Sequence, residues 1–485
     1  MKTVDAAPRA AALIQGMRDF GYSLDTALAD IVDNSITAAA TAVRIETDLM
    51  GAEPFISILD DGTGMTEDVL LEALRPGSRD PREKRPPSDL GRFGLGLKTA
   101  SFSQCRRVTV ISRKDSKTCC ARWDLDRVSD SNQWLLEIPT GVEAARLDAQ
   151  LGTNGTAVIW EKLDRLLGDN PDEAARGSAV KAIDQAMDHL ALVFHRFVRS
   201  EPGLPTVTIS INNRLVDGRD PFRASHPATI QSPPQDVAYK DETIRIQAYT
   251  LPHHSKVSRD DWEHFGKPDG YLKSQGFYVY RSGRLIIHGT WFGLARQSEL
   301  TKLCRVRVDL PNSLDSDWKI DVKKASAQPP RIIKEHLRNL ISTIGASSKQ
   351  VYTHRGTKLV ESNPVPVWQR VQQDGSITFV VNRDHPVVKI AMESSSPHDL
   401  DAVIRVVESS LPFDAFLADL CDAPENVIAA AISDQALISA VREVSSHLAE
   451  ANLSPEAVIQ VFQAAEPFRS NLDRSVQILE SLRGK

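Results

Sequence analysis

Three short stretches, Asp30–Ala38, Asp60–Met65 and Gly91–Thr99, follow one another within about 70 residues and carry the residue types that nucleotide chemistry needs. Asp30 and Asn34 lie four apart in the Ala- and Leu-rich run Ser23–Ala40, whose apolar residues recur at helical spacing. A helix there presents a carboxylate and a carboxamide on one side. Such a pair suits a magnesium ion that keeps most of its waters, with Asn34 as direct ligand and Asp30 orienting an attacking water. Asp60 ends the apolar strand Phe55–Leu59 and opens the turn through Gly62, Gly64 and Met65. An aspartate at a strand end accepts from an exocyclic amine, and the two glycines let the backbone pass close to a flat ring. The third stretch, Gly91, Arg92, Phe93, Gly94, Leu95, Gly96, Leu97, Lys98 and Thr99, turns N–H groups inward and then enters a helix over 95–103. That is a phosphate cradle backed by a helix N-terminus. It is not a P-loop, because Leu97 separates Gly96 from Lys98. It is not a dinucleotide fingerprint either, because a helix-strand-turn block precedes it. Taken singly, the first stretch reads equally as a solvated helix face and the second more readily as an ordinary Asp-Gly turn; the ordered trio reads as one ATP site.

The trio resembles the GHKL ATPases, the superfamily of gyrase B, MutL, the 90-kDa heat-shock chaperone, histidine kinases and MORC proteins. The resemblance puts Asp30 at the family's catalytic Glu, Asn34 at its magnesium-binding Asn and Asp60 against adenine. It lines the base pocket with Gly62 and Gly64, and lays Gly91, Gly94, Gly96, Lys98 and Thr99 along the phosphates. Gly155-Thr156, ahead of the strand Ala157–Trp160, resembles the family's late Gly-Thr, whose hydroxyl supports the adenine-binding aspartate. Asp30 is one methylene shorter than the usual Glu. A misplacement near 1 Å costs about a hundredfold in rate, so slow turnover is expected.

The elements that must position these residues follow in order. An α+β fold is expected: a Bergerat-type sandwich over 1–200 with helices on a mixed, mostly antiparallel sheet, its lid at about 75–93. The strand Thr206–Ile211 opens a second block, about 204–346, with strand patterns at Gly276–Ile287 and Cys304–Asp309. This block resembles the ribosomal-S5-like transducer of MutL and MORC proteins, and Tyr280-Arg281-Ser282-Gly283-Arg284-Leu285-Ile286 is closest to MORC. Such transducers send a basic side chain to the γ-phosphate; Lys323 and Lys324 lead here, with Lys319 behind them, and spacing leaves the choice open. Residues 350–485 read as a small β segment followed by helices for docking or dimerisation.

Composition fits a multidomain globular chain: 485 residues, 41% hydrophobic, 25% charged, formal net charge -6. That charge argues against indiscriminate coating of nucleic acid and leaves room for a local basic groove. No apolar run is long enough to span a membrane and the N-terminus is no signal peptide, so a cytoplasmic protein without membrane contact is expected. The five cysteines, Cys105, Cys119, Cys120, Cys304 and Cys421, have no metal-ligand spacing. A histidine kinase is excluded, because the first histidine is His189, behind the site. The resemblance implies ATP and Mg2+ as cofactors and an ATP-dependent homodimer, with residues 7–19 able to form an exchange helix or to pack on their own domain. Two functions fit: an ATP-gated DNA clamp or switch of a restriction or antiphage system, with a helicase or nuclease as partner, and a chaperone-like ATPase acting on a protein.

Overall fold

A computed structural model describes residues 3, 8–78, 90, 96–140, 151–252, 256–266, 270–298, 301–320, 327–341, 367–373, 376–394, 400–401, 404–405, 407–408, 432–450 and 455–483. The chain divides into two units, Met1–Thr353 and His354–Lys485.

In the first unit the helices α1 (Ala10–Arg18) and α2 (Leu24–Thr37) precede β1 (Ala42–Asp48) and β2 (Phe55–Asp60). Then come α3 (Glu67–Leu74), α4 (Gly96–Gln104), β3 (Arg107–Lys114), β4 (Lys117–Asp124) and β5 (Gly155–Glu161). The helix Glu173–Val193 follows, and then β6 (Thr208–Ile211) and β7 (Arg214–Leu215). The seven strands form one sheet in the order β4-β3-β5-β2-β1-β6-β7, antiparallel except where β6 runs parallel to β1. This is the mixed, mostly antiparallel sheet expected. Strand alternation divides the side chains: Ile56, Ile58, Val108, Val110, Val158 and Trp160 pack against the helices, while Leu59, Ile111, Ala157 and Ile159 form a smaller cluster.

Two elements differ from the sequence reading. The strand expected to open the second block is β6, and it belongs to the first sheet, because its buried Ile209 and Ile211 continue the face begun by Val43 and Ile45. And α3 stands between the turn ending at Met65 and the lid, where no helix was expected, entered from the extended residue Thr66 with Glu67 and Asp68 in its first turn. The N-terminal helix α1 packs on its own unit. Ala10, Ile14 and Met17 are buried, and Arg18 donates from Nε to the Phe102 carbonyl at 2.9 Å and pairs with Asp164 at 2.7 Å.

The second sheet of this unit comprises β8 (Ile230–Gln231), β9 (Gln235–Tyr239), β10 (Glu242–Thr250), β11 (Gly276–Arg281), β12 (Arg284–Thr290) and β13 (Cys304–Leu310). Its order is β12-β11-β13-β10-β8, with β9 also on β10. Its core gathers Phe277, Trp291, Val306, Val308 and Trp318, with Ile333 and Leu337 of the helix over 331–341.

The second unit holds an antiparallel pair, Trp368–Gln373 with Ser376–Val381. Its helices Asp434–Glu450, Pro455–Ala464 and Leu472–Arg483 close over a core that includes Val441, Phe462, Phe468 and Leu479. His385 sits in the turn that starts at Asn382, to whose carbonyl it donates its backbone N–H at 3.1 Å.

Candidate nucleotide site

Register sets the first half of the site. Asp60 on β2 is opposite Thr156 on β5, and Thr156 is opposite Ser112 on β3, so the three side by side cross three strands at one end of the sheet. Asp60 accepts from the Ser35 hydroxyl at 2.9 Å and from the Gly62 amide at 2.9 Å. Burial pushes its carboxyl above the ordinary aspartate value, against the Gly62 amide, the Ser35 hydroxyl and the Thr156 backbone, which favour the charged form. The Thr156 hydroxyl, expected on Asp60, instead pairs with Ser112 Oγ at 2.9 Å, and Thr156 reaches Asp60 through its backbone. Pointing the two hydroxyls at each other follows from their cross-strand pairing.

The turn after Asp60 is folded down onto this row. Met65 donates its N–H to Ser112 Oγ at 2.8 Å, and Thr63 donates to the Ala38 carbonyl beyond the end of α2 at 2.9 Å. Two glycines are required by the close approach. Gly64 has φ +65, and a Cβ there would lie 1.9 Å from the Arg113 carbonyl oxygen; Gly155 has φ +144, and a Cβ would lie 2.3 Å from the Asp60 carbonyl oxygen. The side chain of Asp61 holds the other side, accepting from the backbone amides of Thr41 at 2.7 Å and Ala42 at 2.9 Å.

The second half lies on α2. Asp30 is 3% exposed and accepts from the Tyr22 hydroxyl at 2.8 Å. Gly96, the first residue of α4, faces it closely enough that a Cβ there would be 3.5 Å from Oδ2. Asn34, one turn further along α2, is exposed. The covered acid and the open carboxamide therefore stand beside the start of α4, where anions are favoured.

The structure turns Lys98 away from that start. Lys98 is buried and donates to the carbonyls of Ala73 at 2.7 Å and Arg75 at 3.0 Å, capping the end of α3, while the buried Thr99 bonds back to Gly96 at 3.4 Å. Lys98 stands two residues after Gly96, about 200° around the helix. Leu97 packs against the main core. Gly91, Arg92, Phe93, Gly94, Leu95, Lys323 and Lys324, and most of the lid, lie outside the described residues. Lys319 is described and exposed, with φ +49.

Five groups at the site escaped the sequence reading. Ser35 and Asp33 were inside the first stretch, and Arg281 and Arg284 inside the MORC-like phrase, so adjacency to a motif was their signal. Ser112 had none, because only register puts it beside Thr156.

An acid among neutral donors, glycine positions pressed onto backbone, and an open carboxamide beside a covered carboxylate suit an adenine nucleotide with its magnesium. Residues 22–153 match the family described as Histidine kinase-, DNA gyrase B-, and HSP90-like ATPase. The chain is also 31% identical over 90 residues to ATPase morc-1 of Caenorhabditis elegans, an alignment covering 19% of this chain and 10% of that protein. The chain thus matches about a tenth of the length of that relative. Residues 22–153 are thus similar to the GHKL ATPases, and part of the chain is MORC-like in sequence.

Proposed function

We propose that the protein is an ATP-driven conformational switch that binds ATP at the Asp60 row and hydrolyses it slowly at α2. The observation that carries this reading is the Asp60–Thr156–Ser112 row with Ser35 and the Gly62 amide, a ready acceptor site for a purine amine. Asp60 accepts the exocyclic amine, and Gly62, Gly64 and Met65 shape the wall of the base pocket. The segment from Gly91 through Gly96 supplies backbone donors to the phosphates, with Arg92, Phe93, Gly94 and Leu95 along it. Asn34 holds the magnesium ion, which when bound offsets charge on the phosphates. Asp30, oriented by Tyr22, takes the proton of a water attacking in line, so positioning and electrostatics supply most of the rate. Its short side chain makes turnover slow.

Lys323 or Lys324, with Lys319 as the third choice, reaches the γ-phosphate from beyond β13, so hydrolysis releases an attraction between the two sheets of the first unit. The domain limits 1–200, 204–346 and 350–485 remain part of this reading, with β6 and β7 moved to the nucleotide sheet. In this reading an ATP-dependent homodimer, which the GHKL likeness implies, closes around DNA, favoured over a protein client by the likeness of Tyr280–Ile286 to MORC, in a restriction or antiphage setting with a helicase or nuclease.

Calorimetry tests the reading. ATP with magnesium should give heat with the parent protein, Asp30→Ala should keep nucleotide binding and lose turnover, and Asn34→Ala should lose the magnesium-dependent part of the affinity. Turnover by Asp30→Ala at the parent rate would overturn the role of that residue. Retention on closed circular DNA that needs ATP, survives salt and vanishes on linear DNA supports the clamp; client binding with no DNA effect supports a chaperone.

A further inference from the structure

The tip of the β11–β12 hairpin carries two arginines directly opposite each other, Arg281 and Arg284, joined by Ser282 and Gly283 at φ +49 and +88. Positive φ at both residues makes the tight turn that matches strand twist. Side chains opposite each other share one face of the hairpin, and like charges so placed repel unless each has its own counter-ion. Each has one. Arg281 pairs with Asp315 at 2.7 Å, inside the second block, but Arg284 pairs with Asp33 of α2 at 2.9 Å. All are sequestered, Asp33 at 1% and Arg284 at 3% exposure. Arg281 also donates from Nη1 to the Leu90 carbonyl at 2.9 Å, while Leu90 donates its N–H to Thr37 of α2 at 3.2 Å. Leu90 is the residue immediately before Gly91, and Asp33 the residue immediately before Asn34.

Resting on the ATP reading above, we infer that Arg284 is a positioning residue of the nucleotide site. Through Asp33 it fixes the rotation of α2 about its axis and hence the aim of Asn34 and Asp30, while Arg281 holds Leu90 beside α2. Separating α2 from the hairpin would part a buried anion from a buried cation, a disfavoured state. So α2 follows the hairpin, and the second sheet sets the metal face of the first. The guanidinium fork suits this because its Nε reaches both Asp33 oxygens, at 3.1 and 2.9 Å, while its Nη1 donates to the Leu285 carbonyl at 3.0 Å, and contacts from two nitrogens define an orientation as well as a distance.

The test compares the parent with the paired variant Asp33→Leu, Arg284→Met, which removes both charges together and keeps apolar bulk, a replacement that buried ion pairs commonly tolerate. Nucleotide affinity is read by calorimetry in EDTA and in magnesium, with melting temperature alongside. The inference predicts EDTA affinity within about threefold of the parent, loss of the magnesium-dependent gain, and a fall in kcat on the order of tenfold or more from misaimed groups. Arg284→Lys, which keeps the charge without the fork, should recover part of the magnesium gain, and it carries the test alone if the paired variant does not fold. An unchanged magnesium gain and unchanged kcat in the variants overturn the inference and leave the ATP reading standing. No nucleotide heat from the parent in either buffer overturns both.

Discussion

Asp60 shows how one residue can be legible in chemistry and hidden in context. An aspartate ending an apolar strand before two glycines announces an acceptor, but the groups that keep it charged are distant in sequence. Ser35 comes from α2 and the Thr156 backbone from β5, and burial works against both. A carboxyl raised by burial loses its charge at a higher pH than an ordinary aspartate, so nucleotide affinity should fall as pH drops, earlier than a free carboxylate would allow. Ser35→Ala removes a donor to the charged form and should move that fall to still higher pH. At neutral pH it should weaken ATP binding by about 2 kcal/mol, roughly thirtyfold in Kd. Calorimetric Kd values between pH 5 and 8 check both statements, and a pH profile identical to the parent would remove Ser35 from the site. Asp60→Ala should abolish measurable binding of adenine nucleotides.

Among elements, the strands and helices carrying the motifs were readable because each has a local pattern: helical spacing in α2, a short apolar run in β2, glycine before a helix in α4. What joins them was not. The parallel pairing of β6 with β1 brings Ile209 opposite Val43 across more than a hundred residues of chain, and alternation alone says only that Ile209 is buried, not in which sheet. The start of α3 did have a local sign, Thr66 followed by two acids, that a polar turn beside it obscured. Lys98 illustrates how an element reassigns a side chain. Once Gly96 begins a helix, position 98 faces the other side and meets the open carbonyls ending α3. Lys98→Met should therefore lower stability by about 1 to 3 kcal/mol, the worth of hydrogen bonds from a charged donor to part-buried carbonyls. ATP affinity measured on the folded fraction should change little. A thermal melt beside a binding isotherm decides, and intact stability with lost binding would return Lys98 to the phosphates.

The first unit as a whole should weaken in mild acid. His189 and His195, on and just after the helix Glu173–Val193, are held down to about 4 by burial, with Asp25 opposing it at His189 and the Leu192 carbonyl opposing it at His195. Unfolded histidines take up a proton below about 6.5, while these stay neutral until about 4. The unfolded state therefore binds more protons in that window, and stability falls as pH falls through it, by on the order of 3 kcal/mol for each histidine. Melting temperature should drop between pH 7 and pH 5, and His195→Gln should flatten the slope; a flat parent profile would refute the assignment. His195 also meets Tyr280 of β11 with ring centroids 5.6 Å apart, so this sensitivity sits where the two sheets join. No helix among the described residues is long and apolar enough to cross a membrane.

The pairing of Asp33 with Arg284 bears on how this protein can be dissected. A gene fragment stopping near residue 200 discards β6 and β7, the two strands that complete the first sheet. One prolonged past residue 216 keeps both strands yet exports α2 with a sequestered aspartate parted from Arg284. The smallest piece able to melt as an autonomous body therefore extends beyond the nucleotide fold that its motifs delimit, and reaches at least through β12.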